Sequence, residues 1–223
     1  MRTALAVFDM AGTTVLDENN VAEAFQKAFA LNQISIEREL VTPLMGYHKP
    51  EAIQMVLEQT GHSFDAGFIE DIHKDFESEM MEFYAGGKSV RPQPGAEEIF
   101  AWLKSKGIKI ALNTGFSAAI ADVIISRFQW EERGLIDEFI GSDEVEKGRP
   151  YPYMIYELMK RCGIKQVSEV AKIGDTIVDI EEGRQAGCSL IIAVTTGACS
   201  GAELIRANPT HIINHLAQLK SIF

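Results

Sequence analysis

Six short runs along the chain are apolar almost without interruption: TALAVFD (3–9), KIALNTG (109–115), EFIGSD (138–143), VAKIGDT (170–176), SLIIAVTTG (189–197) and THIIN (210–214). A strand with one wet face alternates polar and apolar residues. Runs that do not alternate suit strands buried on both faces of a parallel sheet. Segments between them, such as PGAEEIFAWLKSKG and DIEEGRQAG, carry helical spacing and stop at Gly, a common helix terminus. Strand and helix in alternation predict a doubly wound α/β sheet.

The alternation fails between about residues 19 and 88, where only helical stretches occur: NVAEAFQKAFALN, KPEAIQMVLEQTG and AGFIEDIHKDFESEMMEFYAGG. The Gly- and Pro-containing stretch AGGKSVRPQPG then reads as a linker. We expect a helical domain, residues 17–89, inserted after the first strand into a core made of residues 1–16 and 90–223. The two linkers, near 16–20 and 86–95, are where a hinge would gate access.

With 223 residues and 46% hydrophobic content the chain can bury one sizeable core. Its net charge of -11 argues against nucleic acid or an anionic membrane as partner. No apolar run approaches the ~18 residues that span a bilayer. The N-terminal run ends in Asp9 without a small-residue cleavage site, so it reads as a strand and not a signal peptide. The three cysteines, Cys162, Cys188 and Cys199, suggest neither a disulfide framework nor a zinc site. A cytoplasmic setting is the expectation.

In an open α/β sheet, ligands bind beyond the carboxyl ends of the strands. The first run ends in Asp9, with Gly12, Thr13 and Thr14 following, and the second in Asn113-Thr114-Gly115. The third is followed by EKGRPYP, with Lys147 and Arg149, and the fourth ends in GDTIVD, with Asp175 and Asp179. Three acids on one rim call for a cation, and oxygen ligands with few carboxylates suit Mg²⁺. Arg149, Thr114 and backbone N–H groups near Gly12 would face the anionic part of a substrate, most naturally phosphoryl oxygens. Singly, each residue has an ordinary alternative: a turn cap for Asp9, a helix cap for GDTIVD, a solvated charge for Arg149. Their joint placement is what carries the reading.

These four stations, FDMAGTT, NTG, KGRPYP and GDTIVD, resemble in order the four motifs of the haloacid dehalogenase (HAD) superfamily, over the whole chain. The resemblance implies a Rossmann-like HAD core with a helical cap. It also implies that Asp9 attacks phosphorus to form an aspartyl-phosphate. The implied Mg²⁺ site comprises Asp9, the Ala11 carbonyl, Asp175 and Asp179. Gly12, Thr13, Thr114, Gly115 and Arg149 would hold a small phosphate or phosphonate. A carboxylate nucleophile splits one hard displacement into two easier ones.

Phosphatases of this superfamily carry a second Asp two residues after the nucleophile; here that place is Ala11. Losing a general acid costs roughly 10²–10⁴ in rate. The Ala variant followed by GTT resembles the phosphonatase subgroup, which cleaves the carbon–phosphorus bond of phosphonoacetaldehyde through an imine on a cap lysine. The segment TPLMGYHKPEAI resembles that subgroup's cap loop, so Met45 and Gly46 are implied at the substrate and Lys49, 40 positions after Asp9, as the imine lysine. Such a lysine needs its pKa lowered from about 10.4, by desolvation or a nearby cation. A homodimer through the cap is also implied. Two positions depart from the subgroup: Ala52 stands where it has His, and Phe116 where it tends to have Tyr. His48 is the nearest imidazole in sequence. Two other readings stay open: a phosphatase acting on a small sugar phosphate or phosphoglycolate, indifferent to Lys49, and a binding module without catalysis. The Met and Phe residues between 68 and 84 are expected in the core of the insert or on a dimer surface.

Overall fold

The structure, a computed structural model, describes residues 3–223. Met1 and Arg2, counted with the core above, lie outside the described residues. All six apolar runs are strands: β1 (Leu5–Asp9), β2 (Lys109–Asn113), β3 (Glu138–Ile140), β4 (Val170–Gly174), β5 (Leu190–Val194) and β6 (His211–Ile213). They form one parallel sheet in the order β3-β2-β1-β4-β5-β6. Each run outlasts its strand by a residue or more. The surplus residues, among them Thr114, Gly115, Asp175 and Thr176, leave the ladder and turn over the carboxyl rim.

Every residue of β1 and β4 is buried, as the non-alternating pattern requires. Helices α5 (Ala96–Ser105) and α6 (Ala118–Phe128) share one apolar layer with Ala6 and Phe8. Helices α7 (Tyr153–Arg161) and α8 (Ile177–Ala186) share the other with Leu5 and Val7. Because β1 is flanked by β2 and β4, Asp9 ends beside Asn113 on one side and one step from Asp175 on the other.

Between Asn20 and Gly86 the described residues contain helices and no strand. These are α1 (Asn20–Leu31), the short α2 (Arg38–Val41), α3 (Lys49–Thr60) and α4 (Ala66–Gly86). The sequence pattern gave no sign of α2, which is too short to show a periodicity. Phe25 packs against Phe29 and Phe76, and Phe76 and Tyr84 meet Phe116 of the sheet rim at 6.3 and 5.9 Å between ring centroids. Arg127 of α6 donates to the Tyr84, Ala85 and Gly87 carbonyls and so satisfies the free end of α4. The two connecting segments are bonded to each other: Leu16 N–H to Arg91 O at 3.1 Å, and Gln93 N–H to Thr14 O at 2.8 Å. Helix α9 (Gly201–Arg206) completes the set beyond β5. No helix among the described residues is long and apolar enough to cross a membrane.

Candidate active site

Asp9, Asp175 and Asp179 converge so closely that one oxygen from each lies within 4.8 Å of the others. Four buried carboxylates, these three and Glu182, face the buried cations Arg149 and Lys172. With Lys49, which shares the cavity with Asp9, the buried carboxylates outnumber the buried cations by four to three. Arg149 Nη2 lies 2.8 Å from Asp9 Oδ1, and its Nη1 donates to Asp179 Oδ1. Lys172 Nζ lies 3.0 Å from Asp179 Oδ1 and 3.1 Å from Glu182 Oε2, and donates to Asn113 Oδ1 at 2.6 Å. Asn113 in turn donates to both Glu182 oxygens.

The three aspartates differ in how they are compensated. Burial pushes Asp9 up to about 6 even though Arg149 pulls the other way. Burial, then Asp9 and Asp179, hold Asp175 well above the usual carboxylate range. Against burial, Lys172 and Arg149 keep Asp179 down at about 2. Both Asp179 oxygens are already engaged, Oδ1 by Arg149 and Lys172 and Oδ2 by the N–H and hydroxyl of Thr176. Asp175 accepts from the Thr13 hydroxyl at 2.7 Å and the Ala198 N–H at 2.8 Å. It is also tightly walled, since a Cβ on Gly12 or Gly197 would come within 2.7 or 2.0 Å of its Oδ2.

One sequence expectation needs correction. The Gly12 and Thr13 N–H groups do not face a ligand: they donate to the Val15 and Met10 carbonyls. Residues 10–15 wind into a compact turn with Gly12 at φ +88°, and that turn consumes both donors. Gly12 and Thr13 instead shape and hold Asp175. Lys147 is also separate from the site, resting over the Tyr151 ring at 4.9 Å.

The remaining expected residues share one cavity of about 30 Å³, room for about two waters. Asp9, Ala11, Met45, Gly46, Lys49, Thr114, Gly115, Arg149 and Asp175 line it. Asp17, Val21, Phe116 and Thr176 also line it, and none of these was assigned from sequence. The Thr114 hydroxyl oxygen accepts the Phe116 N–H, which leaves its own O–H to donate. Arg149 Nε is buried with no acceptor, an orphaned donor in the wall of the site.

Lys49 is only 3% exposed, so it is not a solvated charge. Its Nζ donates to the Tyr47 carbonyl at 3.3 Å and stands 5.4 Å from the Phe116 ring centroid and 6.0 Å from that of Phe76. Burial first, and Arg149 second, bring its ammonium down to about 8, while Asp9 and Asp17 resist. Its place as the first residue of α3 adds the positive end of a helix dipole. The loop carrying it is pressed on the rim: a Cβ on Gly115 would lie 2.5 Å from the Tyr47 carbonyl oxygen and 2.8 Å from that of Gly46. Ala52 is buried and His48 is not among the residues lining the cavity; His48 lies against Gly148 and 3.9 Å from Glu51.

Lys172, Glu182 and Asn113 are the functional neighbourhood that sequence reasoning passed over. The available signal was Lys172 itself, a charge inside the fully buried run VAKIG, which requires a buried partner.

The chain is 30% identical over 203 residues to a phosphonoacetaldehyde hydrolase of Bacillus cereus, covering 84% of this chain and 74% of that one. Another, from Bacillus anthracis, aligns over all of this chain and 89% of its own at 29% identity. Among solved structures, a phosphonoacetaldehyde hydrolase-like protein from Oleispira antarctica superposes with a TM-score of 0.86 at 23% identity, covering 100% of this chain and 91% of that one. Residues 3–187 match the haloacid dehalogenase-like hydrolase family, and the chain is a member of that family of hydrolases.

Proposed function

We propose that this hydrolase cleaves the carbon–phosphorus bond of phosphonoacetaldehyde or a close aldehyde analogue, with Asp9 as nucleophile and Lys49 as imine-forming amine. The observation that carries the reading is the burial of Lys49 in the same cavity as Asp9, with its pKa brought to about 8. A buried lysine with a lowered pKa is a nucleophilic amine near neutral pH. A phosphatase indifferent to this residue has no use for so costly a placement. The names of the Bacillus relatives support the same substrate class.

In this reading the neutral Lys49 amine condenses with the aldehyde, so that carbon departs from phosphorus as an enamine. That removes the need for an acid at position 11, which is Ala. Asp9 attacks phosphorus, and the Arg149 Nε and Thr114 O–H supply donors to the phosphoryl oxygens. The convergence of the three aspartates fits a dication, with Asp9, Asp175 and the Ala11 carbonyl as its protein donors. Asp179, fully engaged by protein, supports that site by fixing Arg149. Mg²⁺ there would offset charge on the nucleophile and the phosphoryl group together. Helices α1–α4 act as the cap. In this reading the cap opens to admit substrate.

The test follows acetaldehyde release from phosphonoacetaldehyde with Mg²⁺, wild type beside Lys49→Arg. Turnover in the wild type and none in the variant, with its fold intact, is the expected result. An active Lys49→Arg enzyme, or phosphate release only from an ester, would overturn the imine reading.

A further inference from the structure

The cavity holds three carboxylates, and two of them, Asp9 and Asp175, belong to the acidic cluster. The third, Asp17, stands outside that cluster, in the segment leading into α1. Its Oδ1 is fixed by the Asn20 N–H at 2.7 Å and the Val21 N–H at 3.3 Å. Both bonds fall on Oδ1, and Oδ2 takes part in neither. Asp17 and Lys49 line the same cavity, and each favours the charged form of the other.

Imine formation needs a proton relay at the carbon end, and the other candidates there fail. Position 52 is Ala, His48 is outside the cavity, and the Phe116 ring carries no exchangeable proton. We propose that Asp17 is the proton-transfer residue for the carbon end of the substrate, acting across the cavity from Lys49. This rests on the imine reading above.

One proton passes from the Lys49 ammonium through cavity water to Asp17, leaving a neutral amine and a neutral carboxylic acid. The amine nitrogen bonds to the aldehyde carbon, and its proton moves to the former carbonyl oxygen, giving a carbinolamine. Asp17 returns its proton to that hydroxyl; the C–O bond breaks, water leaves, and the nitrogen lone pair closes the iminium. Asp17 ends as carboxylate, as it began. Burial raises the Asp17 pKa, while its two backbone hydrogen bonds and Lys49 oppose.

The experiment treats the full-length protein, without added metal, with acetaldehyde and sodium borohydride, and follows the rate of the ethyl adduct on Lys49 by peptide mass spectrometry. Asp17→Asn is compared with wild type and with Asp17→Glu. Asn keeps an oxygen for the two backbone N–H groups, so a purely structural role leaves the adduct rate unchanged. We expect Asp17→Asn to form the adduct about 10²-fold more slowly at an unchanged melting temperature, with partial recovery in Asp17→Glu. Equal rates in wild type and Asp17→Asn would overturn the role of Asp17 while leaving the imine reading standing. No Lys49 adduct in the wild type would overturn that reading, and this inference with it.

Discussion

Arg149 lies between Asp9 and Asp179, with Nη2 2.8 Å from the first carboxylate and Nη1 donating to the second. One planar side chain thus sets the orientation of Asp9 from a position locked by its neighbour. The orphaned Nε remains for a third acceptor.

Lysine cannot reproduce that geometry, since one ammonium replaces a fork of fixed donors. Arg149→Lys should keep its charge and fold but lose roughly 10²–10³ in kcat, the cost typical of one mis-set donor at a reacting oxyanion. Steady-state acetaldehyde release measures it. A variant within a few-fold of wild type would remove Arg149 from the phosphoryl end.

Lys49 sits where its charge is disfavoured, so catalysis and stability should oppose one another. Its folded pKa, about 8, lies below the ordinary lysine value of 10.5. Below pH 8 the amine is protonated in both states and the folded state bears the full penalty; between 8 and 10.5 the unfolded chain holds more protons, so stability rises with pH. Lys49→Met should therefore stabilise the protein at pH 7 by on the order of 3 kcal/mol, a gain that fades toward pH 10.5. Urea unfolding at about pH 7 and about pH 10 checks both size and sign. Destabilisation at the lower pH would mean that Lys49 is better compensated than its surroundings indicate.

Gly115 is the point at which the Lys49 loop touches the rim, with backbone oxygens 2.5 and 2.8 Å from where a Cβ would stand. Backbone cannot yield as a side-chain tip does. Gly115→Ala should displace the loop by a few tenths of an ångström or more and lower kcat/KM by about 10²-fold, with urea stability of the sheet core little changed. Wild-type kinetics in this variant would show that catalysis does not use the closed arrangement.

The Lys172 ammonium is a structural counter-charge. Lys172→Met leaves Asp179 and Glu182 facing each other with one cation fewer, and removing one partner from a buried ionic group costs about 3–5 kcal/mol. The double change Lys172→Met/Glu182→Gln should recover part of this loss, because Gln can still accept from Asn113. Urea midpoints of the two variants decide it; no recovery would place the role of Lys172 with Asp179 alone.

The sheet was legible because its strands are buried on both faces, and uniform apolarity leaves a mark that a half-wet strand does not. Asp9, Thr114, Arg149 and Asp175 were legible for a related reason: each follows such a run, and the parallel order brings those ends to one rim. The insert hid more. Helix α2 is four residues long, too short for any period to show, and Asp17 looks like one acid among linker residues until α1 turns it toward the cavity. Lys172 and Glu182 are ten positions apart on a strand and the following helix, a pairing that only the crossover creates. That the Gly12 and Thr13 N–H groups are used within their own turn was hidden, because a tight turn and an anion-binding loop share the same small residues.

The hydrogen bonds between Leu16 and Arg91 and between Gln93 and Thr14 stitch the two connections together at their root. The helices that carry Lys49 are thus joined to the sheet at two points held against each other, a few residues beyond Asp9. The approach of Lys49 to Asp9 is then an intramolecular event. Dilution of the enzyme cannot weaken it.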